Sequence, residues 1–88
     1  MITRKDITAK DILPFVMRFG RPTRGNPGMY RIHNISGYSF KSERDGSILV
    51  WEPGNEPAEC SYLLQRAVNM AGFCRIAASY LNEKGVVI

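Results

Sequence analysis

Residues 29–52, MYRIHNISGYSFKSERDGSILVWE, alternate apolar and polar side chains and are punctuated by Ser36-Gly37 and Asp45-Gly46. Period-two patterning broken by turn dipeptides restricts a chain to antiparallel hairpins. The stretch is read as a three-stranded antiparallel meander. A two-residue Asp45-Gly46 loop pairs Phe40 with Trp51 and Ser42 with Leu49. At the first hairpin two loops compete. A two-residue Ser36-Gly37 loop puts Phe40 on the face of Arg31 and His33; a three-residue loop Ile35-Ser36-Gly37, with Gly37 left-handed, puts it with Tyr30 and Ile32. A slip of one residue turns every side chain over, so burial favours the second loop. One face then carries Tyr30, Ile32, Tyr38, Phe40, Leu49 and Trp51, the expected core. The other carries Arg31, His33, Ser39, Lys41, Glu43, Ile48, Val50 and Glu52, which leaves Ile48 and Val50 as apolar residues on an open face.

Helices are expected on both sides of the meander. Thr8 with Asp11 three residues later is a capping box, and Ile12, Phe15, Val16 and Phe19 follow at helical spacing. Pro14 inside this pattern would remove a hydrogen bond, so the helix is expected to begin nearer Asp11 with Pro14 in its first turn, and Gly20 is placed to end it. RPTRGNPG, residues 21–28, is loop chemistry. A long second helix is predicted over 57–84. Pro57 suits its first turn, Glu56 and Glu59 suit its N-terminal dipole, and Lys84 and Gly85 suit its end. Cys60, Leu64, Ala67, Ala71, Cys74, Ala78 and Leu81 supply an apolar seam, and GVVI (85–88) has room for a short edge strand. The expected fold is α+β, a single small domain over 1–88 in the order α-β-β-β-α, with the meander packed against a long C-terminal helix and a short N-terminal one.

That order resembles the topology of double-stranded-RNA-binding domains. Such domains begin their last helix with lysines, whereas this chain has the acidic GNEPAECSY there, so no residue is carried over. AVNMAGFCRIAASYL (67–81) also matches a helix-turn-helix with Gly72 at its turn, but the seam keeps its phase through Gly72 and favours one helix. A helix over 57–84 would be about 42 Å long. A compact domain of this size is about 31 Å across. The excess predicts a homodimer through the C-terminal half of the helix, with Phe73, Ile76 and Tyr80 as extra contacts, or else a kink at Gly72.

The charge is uneven. Residues 1–44 hold nine Lys/Arg against three Asp/Glu, and residues 45–88 hold three against five. A basic half points to an anionic partner. Arg18, Arg21, Arg24 and Arg31 fall within fourteen residues and, with Lys41 and Arg44, form the expected nucleic-acid surface. Phosphate contacts are expected from the loop and the outer sheet face. The alternative is a protein-binding inhibitor or adaptor of the kind phages and plasmids encode, with Ile48 and Val50 at its interface.

No catalytic constellation stands out. His33 is the only histidine and has no nucleophile beside it; no paired carboxylates or phosphate loop follow a strand. The expectation is a non-enzymatic protein without metal or other cofactor. Cys60 and Cys74, fourteen residues apart, would be about 21 Å apart on one helix and are read as core thiols rather than a disulfide. MITRKDITAKD has no apolar leader region, and no run approaches the length of a membrane span, so a cytoplasmic location is expected.

Overall fold

The computed structural model of the chain describes residues 6–19, 28–56 and 58–88. Thr8 caps helix α1 (Ala9–Ile12). Its hydroxyl accepts the Asp11 N–H at 3.3 Å, and the Asp11 carboxylate accepts the Thr8 N–H at 2.9 Å. The expected continuation to Phe19 does not occur. Pro14 lies in a 3-10 turn, Leu13–Phe15, after which the chain is extended as strand β1 (Val16–Phe19). A longer helix would need the Pro14 nitrogen to donate to Lys10, which it cannot do, and β-branched Val16 suits a strand. Gly20 and residues 21–27 of the expected loop lie outside the described residues.

Strands β2 (Met29–Ile35), β3 (Tyr38–Ser42), β4 (Ser47–Trp51) and β5 (Ser61–Arg66) follow, and the sheet order is β1-β2-β3-β4-β5 with every pair antiparallel. The fold is therefore α+β with a five-stranded sheet, where three strands were expected. The predicted meander forms the middle of this sheet.

Its turns exchange their expected lengths. Ile35 pairs with Tyr38, so the first loop has two residues, Ser36 and Gly37, both at positive φ (51° and 91°). Ile32 nevertheless pairs with Phe40, as the burial argument required, because the register shifts between Ile32 and Ile35. Asn34, at φ 63°, is the extra residue. Its insertion lets Ile32 and Ile35, three apart in sequence, both become buried. The second loop has three residues, Arg44–Gly46. The Gly46 N–H donates to the Glu43 carbonyl, the Glu43 N–H donates to the Ser47 carbonyl at 2.7 Å, and Gly46 sits at φ 92°. This is the three-residue loop ending in a left-handed glycine, which moves the register of β4 by one. Phe40 pairs with Val50 rather than Trp51, and Ser42 with Ile48 rather than Leu49.

Ile48 and Val50 therefore belong to the core, at 0% and 1% exposure, and their expected place on an open face is corrected. Leu49 and Trp51 move to the opposite face.

Helix α2 spans Met70–Glu83, half of the predicted helix. The other half is β5, whose pairing with β4 makes β4 an interior strand. Leu64 and Ala71 of the supposed seam are exposed, while Cys74, Ala78 and Leu81 are buried. Pro57, the proposed start, lies outside the described residues. Asn69 caps α2 instead, accepting the Gly72 N–H at 2.8 Å. Gly72 thus sits in the first turn, which removes both the helix-turn-helix and the kink. At its other end the Val86 N–H reaches the Leu81 carbonyl and the Gly85 N–H reaches that of Asn82, with Gly85 at φ 78°, a Schellman stop. Gly85–Ile88 add no strand to the sheet. Fourteen residues make a helix of about 21 Å, so the overhang that predicted a dimer is gone. Phe73 and Ile76, its proposed contacts, are buried in this chain's own core.

The core lies between one sheet face and α2. Phe73 stacks on Tyr30 at 5.8 Å, and Tyr80 meets Phe40 and Tyr38 edge-on at 5.7 and 6.0 Å. α1 packs on the flank of α2. There the Asn82 amide accepts the Ile7 N–H at 2.7 Å and donates to the Ile7 carbonyl at 2.9 Å, pairing with backbone as a strand would. Buried Ser42 accepts the Tyr30 N–H at 2.7 Å and secures the start of β2. Cys74 is buried and Cys60 half-buried, and both are free. Burial holds the Cys74 thiol above its ordinary value.

Candidate functional site on the open sheet face

With α2 and α1 on one side, the other side of the sheet is open among the described residues: Met17, Arg31, His33 and Tyr62 are exposed on it. Backbone register sets its layout. Met17, Arg31, Lys41, Leu49 and Tyr62 oppose one another in a single row across all five strands. Residues facing each other across a ladder share a sheet face, so the row sets two adjacent cations, Arg31 and Lys41, between Met17 on one side and Leu49 and Tyr62 on the other. Leu49 is 6% exposed in the row between Lys41 and Tyr62, while Tyr62 is 67% exposed at the edge. One step along the strands, Ser39 opposes Trp51.

Beside Trp51 the surface dips into a recess of about 280 Å³, lined by Arg31, His33, Ser39, Trp51 and Asn55. Two turns build its end. Asn34 fixes the first by accepting the Gly37 N–H at 2.7 Å, and Ser39 Oγ accepts the Asn34 N–H at 3.3 Å. The second is Glu52–Asn55, where Pro53 and a left-handed Gly54 let the Asn55 N–H close on the Glu52 carbonyl at 3.2 Å. The turns touch: a Cβ on Gly37 would lie 2.8 Å from Pro53 Cγ.

Glu52 also borders the recess, and its charge is compensated from the helix side. The Tyr80 hydroxyl donates to its Oε1 at 2.8 Å, and Lys84 Nζ lies 3.3 Å from the same oxygen. The tyrosine's hydrogen bond and then the lysine hold the Glu52 carboxyl below its usual range, while burial and Glu52 push Tyr80 up to about 12. The signs are opposite. The lowered Glu52 value stabilises the fold above its unfolded titration and is lost as pH falls through the folded one. The raised Tyr80 value stabilises below pH 10.0, and this is lost as pH rises to about 12. Urea midpoints measured against pH should fall at both extremes, and Tyr80→Phe should flatten the alkaline fall.

The expected site residues are divided by this geometry. Arg31 and Lys41 stand together on the open face, opposite one another on β2 and β3. Arg18 does not join them. It pairs with Tyr30 and is two residues from core-packed Val16, which puts it on the helix side of the sheet edge. Arg44 is exposed in the β3–β4 turn. Beside it, Arg66 acts on Asp45, whose carboxyl is lowered first by the Ser47 N–H at 2.9 Å. Arg21 and Arg24 lie outside the described residues. Trp51 and Tyr62 were missed. The one-residue shift had placed Trp51 in the core, and the helix expectation had hidden Tyr62.

Among the described residues, no cluster of three His, Cys, Asp or Glu could hold a metal ion, and no helix is long and apolar enough to cross a membrane. Comparison with protein families, curated proteins and solved structures finds no match to this chain.

Proposed function

We propose that the chain is a non-enzymatic nucleic-acid-binding module whose contact surface is the open sheet face. The observation that carries this reading is the row Met17–Arg31–Lys41–Leu49–Tyr62, with Trp51 beside it, on a face that neither helix covers. Cations at strand spacing match a polyanion, and neighbouring aromatic rings offer surface for bases. The compensation of Glu52 by Lys84 removes the nearest repulsive charge from the recess. Residues 20–27, which carry Arg21 and Arg24, join β1 to β2 and would add phosphate contacts.

The test is salt dependence. Binding of DNA or RNA oligonucleotides should weaken steeply between low and physiological salt. Arg31→Gln with Lys41→Gln should reduce the slope of log affinity against log salt by about 1.4 to 1.8, the share of two phosphates. Absence of binding to any oligonucleotide at low salt overturns the reading. A second reading, a protein-binding inhibitor or adaptor, is favoured by one observation: Leu64 is fully exposed on edge strand β5. In that case the partner surface would centre on Tyr62 and Leu64, and not on the buried Ile48 and Val50.

A further inference from the structure

We propose, resting on the nucleic-acid reading above, that the ligand is single-stranded, with one base seated in the recess against Trp51 and a neighbouring base on Tyr62. Three observations converge on this. The first is width. Five strands at about 4.8 Å spacing make a face about 19 Å across. The major groove of B-DNA, about 12 Å wide, admits a helix or a two-stranded ribbon and not a face this broad. Against a duplex the face could reach only phosphates, and its rings would have nothing to do.

The second observation is the placement of the rings. Leu49 opposes Tyr62 on the adjacent strand, and Trp51 is two residues further along β4, so Trp51 and Tyr62 are diagonal neighbours on one face. Such positions lie about 7–8 Å apart, close enough for consecutive unstacked bases of one strand to reach both. Every base has a π-face, which a single strand presents and a duplex hides.

The third is the distribution of charge and polar groups around those rings. Lys41 is the strand neighbour of Leu49, and Arg31 is the next neighbour beyond it, so the two cations continue across the sheet the row that ends at Tyr62, beside which Glu43, Arg44 and Asp45 also lie. Within the recess, Ser39 and Asn55 bring a hydroxyl and an amide next to Trp51. These can pair with the polar edge of whichever base enters. The recess, at about 280 Å³, sits at the small end of ligand sites, which suits one ring system and not a larger ligand.

Trp51 is the only tryptophan, so its emission reports this site alone. The experiment titrates the whole chain at low salt with a thymidine homo-oligomer and with a blunt duplex of equal length. The expected result is quenching of Trp51 by the single strand, with weaker binding of the duplex. Tyr62→Ser, at an exposed edge position, should leave folding unchanged and weaken the single-strand complex about 5- to 150-fold, the range for one lost base–aromatic stack. Equal affinity for both oligonucleotides with Trp51 emission unmoved overturns the single-strand proposal while the phosphate-binding reading stands. No binding of either overturns both.

Discussion

Replacing Ile48 and Val50 together by Thr should destabilise the fold by about 4–6 kcal/mol, taking roughly 2–3 kcal/mol at each site for lost methyl groups and a buried hydroxyl with no partner. Both side chains are sealed between the sheet and α2, next to Phe40 and Ser42 across the ladder. Domains of this kind are stable by about 5–15 kcal/mol in total, so the loss removes from about a quarter of that stability to all of it. Chemical denaturation of the double variant measures it. A change under about 1 kcal/mol would mean that the pair stands on an open surface after all.

The second large effect is expected at Gly46, and Gly54 is its control. Both occupy left-handed backbone, at φ 92° and 83°. A methyl group on Gly54 would meet nothing within 4 Å, so Gly54→Ala should cost only the conformational strain, about 1–2 kcal/mol. On Gly46 it would lie 2.7 Å from the Ala67 carbonyl oxygen. The same backbones are joined by the Ala67 N–H donating to the Gly46 carbonyl at 2.8 Å, so they cannot separate without breaking that bond. Gly46→Ala should therefore cost about 1–3 kcal/mol beyond Gly54→Ala. Equal denaturation midpoints for the two variants would show that the end of β5 yields freely.

The same glycine explains much of what the sequence alone misplaced. Asp45-Gly46 is a strong hairpin signal for a two-residue loop, but Arg44 joins the loop here and every residue of β4 turns over. Both arrangements use a left-handed glycine, so the dipeptide does not distinguish them. The run Ile48-Leu49-Val50 was the better guide: three apolar residues in succession suit a strand buried on both faces, which fits the middle of a larger sheet better than the edge of a three-stranded one. That partner was hidden because small and apolar residues in Cys60–Ala71 meet helical spacing as readily as strand spacing. On the open face, Arg31 and Lys41 were legible because the pairing of Ile32 with Phe40 was correctly inferred from burial. Trp51 and Tyr62 depended on the two steps that failed. The bulge at Asn34 left no pattern of its own, since its effect is to restore an alternation that the shorter loop would have broken.

The strand order has a consequence for how the chain reaches this structure. Each strand pairs only with its neighbours in sequence, so the central sheet can assemble as a succession of short loop closures. Each added strand then finds its partner within ten residues along the chain, and the entropy lost per step stays small. The contact between Asn82 and Ile7 is of another kind, spanning 75 positions. It gains little until α2 has settled on the sheet and brought its outer flank into place. Asn82→Ala, which removes both hydrogen bonds, is therefore expected to speed unfolding more than it slows folding, as stopped-flow rates of the two limbs would measure.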